Sequence, residues 1–211
     1  MYTDKKALYT RSSMSAKPST RIPGTLPSVF TYSDAMAAGL SARRLYRYRD
    51  EGHLEQLGRG LFRRADAAPA DHNLIEIALR VPEGTLCLMT ALARHGLTDV
   101  IPARIDIAIP RGGRIPTLQS PADVHVFARD TFALGREMIR IGDGLTLGLY
   151  SAKRSLVDVI RLRHREGSEV AWEALRRWLR RKDARPATLI AMARSFHGAE
   201  RAVRQALEVI L

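Results

Sequence analysis

Four arginines within seven positions have side chains suited to binding nucleic acid. They are Arg43, Arg44, Arg47 and Arg49, and the first acidic residue after them is Asp50. A guanidinium group donates paired hydrogen bonds to phosphate oxygens, or to O6 and N7 of guanine in the major groove of duplex DNA. Such a cluster is also typical of a solvated helix face. The elements that surround it must therefore distinguish the two interpretations.

The arginines fall on a helix predicted for residues 41–51, with Ser41 as its N-cap. Leu45 and Tyr48 lie on its inward face. A short capped helix precedes it, and Gly39 provides the left-handed turn between the two. This is the spacing of a helix-turn-helix, in which the first residues of the second helix reach the bases. The candidate DNA contacts on this helix are Ser41, Arg43, Arg44 and Arg47.

The next segment, residues 53–63, is predicted to be two short strands around the turn Gly58-Arg59-Gly60. Arg59 and Arg63 complete the set of candidate DNA-binding residues, because an arginine on such a wing can contact the minor groove or the phosphates. The alternative is a plain hairpin. Since the two helices and the Gly-Arg-Gly ribbon follow one another within roughly 35 residues, we predict a winged helix-turn-helix that binds duplex DNA.

The charge distribution agrees with a polyanionic partner. The chain has a formal net charge of +12. Residues 1–64 hold twelve Lys+Arg and five Asp+Glu, residues 151–211 hold fourteen and seven, and residues 65–150 hold eight and ten. Both ends are thus basic and the middle is slightly acidic. Charge alone leaves RNA, anionic lipid and an acidic protein as alternatives to DNA.

The rest of the chain predicts an α+β fold in which a mixed α/β domain with a helical C-terminal tail follows the winged helix. Helices are expected at 70–81 and 85–95, strands at 104–109 and 124–127, and a hairpin at 138–150. The tail is expected to form helices at 151–165, 168–182, 186–196 and 199–211. The predicted organisation is a flexible arm over 1–28, the winged helix over 29–68 and a C-terminal domain over 69–211.

A second basic cluster lies on the predicted helix 168–182. Its apolar face contains Trp172, Leu175 and Leu179. A solvated helix face and a second DNA-contacting surface are equally compatible with this pattern. The residues of this second basic surface are Arg176, Arg177, Arg180, Arg181 and Lys182.

Catalytic chemistry is not indicated, and we predict that the chain is not an enzyme. A nuclease would need a carboxylate cluster with a nearby lysine to hold Mg²⁺. Asp106 and Asp123 lie on or beside strands, but no Glu-x-Lys follows them. The six histidines lack metal-ligand spacing, and Cys87 is the only cysteine and lies in an apolar run. We expect no cofactor, no metal, no membrane span and a cytoplasmic location.

The sequence resembles the AbiEi-like antitoxins of type IV toxin-antitoxin systems. The resemblance rests on the motifs Phe30-Thr31, Ala38-Gly39-Leu40-Ser41, Arg43-Arg44-Leu45, Glu51-Gly52 and Gly58-Arg59-Gly60-Leu61-Phe62. Residues 147–158 look like the family's strand followed by a helix with a Leu-Val-Asp step, so the resemblance extends over about residues 29–211.

This resemblance implies a winged helix that represses its own operon at inverted repeats, and a C-terminal domain that neutralises a nucleotidyltransferase-like toxin. Such systems are described without a stable antitoxin-toxin complex. The alternative is a winged-helix transcriptional regulator without a toxin partner.

Overall fold

The computed structural model describes residues 22–68, 70–142 and 144–210, which contain both helices and strands and end in a run of helices. The first elements are β1 (Val29–Thr31), α1 (Tyr32–Ala37), α2 (Ala42–Asp50), β2 (Leu54–Gly58) and β3 (Leu61–Arg64). Then follow α3 (His72–Arg80), β4 (Thr85–Leu86), α4 (Leu88–Arg94), β5 (Ile105–Pro110), β6 (Ala122–Phe127), α5 (Arg129–Phe132), β7 (Arg136–Gly142) and β8 (Leu145–Tyr150). The C-terminal helices are α6 (Ala152–Arg161), α7 (Arg163–Glu166), α8 (Ser168–Leu179), α9 (Pro186–Ala193) and α10 (Ala199–Ile210). The predicted α+β class is confirmed.

A three-stranded antiparallel sheet in the order β1-β3-β2 carries α1 and α2 on one face. Phe30 and Phe62 on this face stack with ring centroids 6.2 Å apart and pack against Leu45 and Tyr48 of α2. The turn between the helices contains Gly39 at φ +80°, a conformation that glycine adopts without strain. Two helices, a glycine turn and a hairpin thus occur in the predicted order.

The segment before β1 packs against this first unit. Leu26 is buried in the same cluster as Phe30, and Ile22 lies against it. The backbone carbonyl of Ser28 accepts a hydrogen bond from the N–H of Arg64. Residues 22–28 of the predicted arm are therefore ordered against the domain, and residues 1–21 lie outside the described residues.

A mixed five-stranded sheet in the order β6-β5-β4-β8-β7 forms the centre of the second unit. The short central strand β4 pairs antiparallel with β5 and parallel with β8. The predicted helix 85–95 is wrong at its start, because Thr85 and Leu86 bond to strands on both sides and the helix begins only at Leu88. The hairpin β7-β8 is confirmed.

The two faces of this sheet are covered by different helices. Ile107 and Ile109 point to the face on which α3 lies, whereas Ala108 between them points to the helices of the tail. Buried residues from α4, α6, α8, α9 and α10 form one continuous core on the tail side. The second unit is therefore three layers thick, with α3 on one side and the helical tail on the other.

Helix α3 also packs against the first sheet. Its Leu74 and Ile77 belong to the core of the five-stranded sheet, whereas Ile75 packs against Val29 and Leu61. One helix thus fills the space between both sheets. This shared helix fixes the first unit against the second.

The tail is helical, as predicted, but the expected helix 151–165 is divided into α6 and α7. The side chain of Arg154 on α6 is completely buried, and its guanidinium carbon lies 4.3 Å from the ring centre of Tyr150 and 4.2 Å from that of Phe196. Its Nε donates to Asp158, and its Nη1 donates to the carbonyls of Thr131 and Leu134. This residue therefore anchors α6 to the segment around α5.

Candidate nucleic-acid interface

Helix α2 presents part of its basic face to solvent. Ser41 is its N-cap, as predicted, and its hydroxyl accepts a hydrogen bond from the N–H of Arg44 at 3.4 Å. Leu45 and Tyr48 are buried against the sheet. This anchoring leaves Arg43 and Arg47 exposed, and Arg47 lies 3.6 Å from Glu51 in an ion pair whose members are about half exposed. Such exposed pairs are weak, so Arg47 can exchange Glu51 for a phosphate at little cost.

The guanidinium of Arg44 is folded back onto its own helix. Its Nη2 donates to the hydroxyl of Tyr48 at 2.9 Å, and its central carbon lies 5.7 Å from the centre of that ring. Arg49 similarly donates to Asp50 and Gln56. Of the arginines on α2, Arg43 and Arg47 are therefore the most accessible to a ligand.

The turn of the β2-β3 hairpin presents Arg59 at its tip. The Arg59 side chain is exposed, and Gly60 after it has a φ of +70°. The backbone of the tip is held by the second unit, because the N–H of Arg59 donates to the Oε1 of Gln119 at 3.1 Å and its carbonyl accepts from Arg80 at 3.0 Å. A Cβ at Gly58 would lie 2.6 Å from the same Gln119 oxygen, so a larger residue there would displace the Gln119 side chain from its hydrogen bond with Arg59.

Arg63 does not belong with these exposed residues. Its side chain is only 10% exposed, its Nη1 donates to Glu55, and its Nη2 donates to the carbonyls of Ala67 and Ala68. The expectation that it contacts DNA is corrected, because its guanidinium fixes the connection after β3 and does not face solvent. The alternation along β3 places this residue on the side that packs toward the rest of the protein.

Residues far along the chain support the hairpin, and their role is not among the predictions from the sequence. The carboxylate of Glu76 on α3 accepts hydrogen bonds from the N–H groups of Gln119 and Ser120 at 3.0 and 2.8 Å, and it pairs with Arg80 at 2.9 Å. Burial raises the pKa of Glu76, but the hydrogen bonds from Ser120 and Gln119 and the charge of Arg80 outweigh it and hold the pKa below its usual range. Gln119 and Ser120 lie 43 and 44 positions from Glu76, so no local pattern reveals these hydrogen bonds, whereas Arg80 has the i,i+4 spacing of neighbours on one helix.

The second basic surface on α8 is only partly free. Arg177 pairs with Asp99 and Glu173, and Arg181 donates to the carbonyl of His95. Hydrogen bonding to Arg177 lowers the pKa of the Asp99 carboxyl. These two arginines therefore hold α8 against the segment after α4. The members of this surface that remain exposed are Arg176, Arg180 and Lys182.

Other reactive side chains have structural partners. His125 lies 2.9 Å from Asp106, and the other oxygen of Asp106 accepts from Thr90. Cys87 is buried, and this burial raises the pKa of its thiol. The described residues contain no group of three or more His, Cys, Asp or Glu side chains placed to hold a metal ion.

Comparison with known proteins supports the interpretation of the first unit. Residues 26–65 match the family described as "Transcriptional regulator, AbiEi antitoxin". The match begins just before β1 and ends after β3, so it contains α2 and the hairpin. The resemblance to AbiEi antitoxins is thereby confirmed for this segment. No curated protein is significantly similar to the chain.

The matched family is one of transcriptional regulators and antitoxins. In the part of the chain that the structure describes, no helix has the length and apolar character needed to cross a membrane.

Proposed function

We propose that this protein is a DNA-binding antitoxin and transcriptional autorepressor of a type IV toxin-antitoxin operon, and that it counteracts a nucleotidyltransferase-like toxin. The observation that carries the proposal is the exposure of Arg43 and Arg47 on α2, followed by Arg59 at the hairpin tip, within a segment that matches regulators of this class.

The proposed docking places α2 in the major groove of duplex DNA, with Ser41, Arg43 and Arg47 near its N-terminal half. The N-terminus of a helix favours phosphate, because its free N–H groups carry partial positive charge. Arg59 would meet the phosphates or the minor groove. Arg44 would contact a base edge only after leaving the hydroxyl of Tyr48, so its contribution to affinity is expected to be smaller than that of Arg43.

Duplex binding is tested with DNA from the region upstream of the gene and a scrambled duplex of equal length. We expect preferential binding to the upstream inverted repeat and a steep loss of affinity as salt rises. Arg43→Ala should reduce the preference by about 1–3 kcal/mol if its contact is to a base. Arg59→Ala should weaken binding to both duplexes to a similar extent.

Arg49→Ala is the matched control, since Arg49 is engaged by Asp50 and Gln56. Equal affinity for both duplexes would refute specific binding.

Antitoxin activity requires a separate test, because the family match ends at residue 65. The nucleotidyltransferase-like protein of the same operon is expressed with and without the full chain, and cell growth is measured. We expect growth only when the chain is present, and repression of a reporter placed behind the upstream region. Repression without protection would favour the alternative, a winged-helix regulator with no toxin partner.

A further inference from the structure

A cleft lined by basic side chains lies where the end of α6 and α7 meet the start of α10. It has a volume of about 360 Å³, within the range of small-ligand cavities. No acidic residue is among its lining residues. Its charged or titratable lining residues are Arg161, Arg163, His164, His197 and Arg201.

Two of the arginines are available to a ligand. Arg201 is exposed, and the Nη1 of Arg163 donates to the carbonyl of Ile160 at 3.0 Å. Within the described ranges, neither forms an ion pair with an acidic side chain. Both guanidinium groups therefore have donors that can turn to an anion in the cleft.

The side chain of Arg161 is held in place by more contacts than those of Arg163 and Arg201. Its Nε donates to Asp158 at 2.9 Å, and its guanidinium lies over the rings of Phe127 and Phe196. The same carboxylate also accepts from the buried Arg154 at 2.8 Å. The single negative charge of Asp158 is thus shared by two arginines, so the cleft keeps a net positive charge.

The carboxylate of Glu200, which directly precedes Arg201 on α10, is already engaged by other arginines. Glu200 accepts hydrogen bonds from Arg204 at 2.8 Å and Arg194 at 3.3 Å. The hydrogen bonds from Arg204 and then Arg194 hold the pKa of Glu200 below its usual range. The N-terminus of α10, which follows Gly198 in the cleft wall, adds further partial positive charge.

We infer that this cleft binds a small molecule that carries a phosphate group. Like charges gathered in a concave site repel one another, and an anion that accepts paired hydrogen bonds from guanidinium groups relieves this repulsion. The cleft is built by helices on the tail side of the five-stranded sheet, whereas α3 and the first sheet lie on the other side. The site is therefore separate from the proposed duplex interface.

The test uses the full chain and inorganic pyrophosphate, with affinity measured by titration calorimetry at constant ionic strength. We expect saturable binding, a loss of about tenfold or more, or roughly 1.4 kcal/mol, in Arg163→Ala and in Arg201→Ala, and no binding in the double variant. Arg165→Ala is the matched control, because Arg165 is an exposed neighbour on α7 that does not line the cleft. Thermal melting establishes that each variant is folded.

Absence of saturable pyrophosphate binding would overturn the inference. An equal loss of affinity in Arg165→Ala would also overturn it, because it would show that pyrophosphate is held by nonspecific electrostatic attraction. A further titration adds the duplex from upstream of the gene. We expect its affinity to be unchanged by pyrophosphate and by the double variant. If the duplex competes with pyrophosphate and depends on Arg163 and Arg201, the cleft binds a nucleic-acid backbone and the small-molecule assignment is wrong.

Discussion

The side-chain oxygen of Gln119 accepts a hydrogen bond from the backbone N–H of Arg59, a residue sixty positions earlier in the chain, at 3.1 Å. The carbonyl of Arg59 is held in turn by Arg80. Both partners meet the carboxylate of Glu76, which binds the N–H of Gln119 and the guanidinium of Arg80. The tip of the hairpin is therefore positioned by the second unit and not by its own turn alone.

Gln119→Ala is expected to weaken duplex binding without unfolding the protein. Because the substitution removes one exposed hydrogen bond, worth about 0.5–1.5 kcal/mol, the hairpin tip gains freedom that duplex binding must again restrict. We expect a loss of affinity of up to about tenfold and a melting temperature lowered by no more than a few degrees. Fluorescence anisotropy with the upstream duplex measures the first quantity, and circular dichroism measures the second.

Thr117→Ala is the matched control, since Thr117 is exposed in the same loop. If Gln119→Ala binds the duplex as tightly as Thr117→Ala does, the hydrogen bond to Arg59 does not contribute to DNA binding.

Glu76 should make stability depend on pH. Its pKa in the folded state is lowered, so its contribution to stability is fully present above the ordinary glutamate value of about 4.3. The contribution is lost as the pH falls from there through the folded-state pKa. We expect Glu76→Gln to melt at a lower temperature than the unchanged protein at pH 7, by an amount equivalent to roughly 1 kcal/mol. The difference should disappear on acidification.

Melting curves collected between neutral and acidic pH test this expectation. Glu83→Gln is a suitable reference, because Glu83 is exposed shortly after the end of α3, the helix that contains Glu76. A constant difference between Glu76→Gln and the unchanged protein at every pH would mean that the substitution acts through packing and not through charge.

Ser41 has a structural role that can be separated from DNA contact. Its hydroxyl caps α2, so Ser41→Ala should destabilise the protein by about 1 kcal/mol. Ser41→Asp retains the capping interaction and adds a negative charge where the phosphates are proposed to lie. We therefore expect the aspartate variant to melt close to the unchanged protein and to bind the duplex more weakly. Unchanged duplex affinity in the aspartate variant would place Ser41 outside the interface.

The sequence predicts most of the first unit because its signals are local. The cap at Ser41, the glycine turn and the buried positions of Leu45 and Tyr48 all depend on neighbours within a few residues, and each is confirmed. The order of elements in the second unit follows from the same kind of pattern. The predictions that proved wrong concern strand pairing and burial, which depend on the tertiary contacts that each residue makes.

Three residues illustrate this dependence. Thr85 was expected in a helix, but pairing with β5 and β8 makes it part of a central strand. The charge of Arg63 suggested exposure, yet it is buried against backbone carbonyls. Arg154 is likewise fully buried, because Asp158 one turn later and three aromatic rings surround it. The Nε and Nη1 of Arg154 are hydrogen-bonded, whereas its Nη2 has no hydrogen-bond partner among the described residues, so only the tertiary structure reveals how such a guanidinium is buried.

The exposed basic residues on α8 and directly after it provide a test that separates DNA binding from protection against the toxin. Helix α8 contributes to the core on the tail side of the five-stranded sheet, opposite α3. We therefore expect charge reversal at Arg176, Arg180 and Lys182 to leave duplex affinity nearly unchanged and to abolish protection of cells. Affinity is compared at about 0.15 M salt, where the Debye length of about 8 Å limits long-range effects of the charge change.

Arg177→Gln is the control for folding, because Arg177 is a structural partner of Asp99 and Glu173 and not a free cation. It should lower the melting temperature slightly, since exposed ion pairs contribute little to stability, whereas the triple reversal should not. A fall in duplex affinity together with a smaller salt dependence would identify α8 as a second DNA-contacting surface. If the triple variant melts normally, binds its duplex and still protects cells, the basic face of α8 is only solvated, and protection must depend on another part of the second unit.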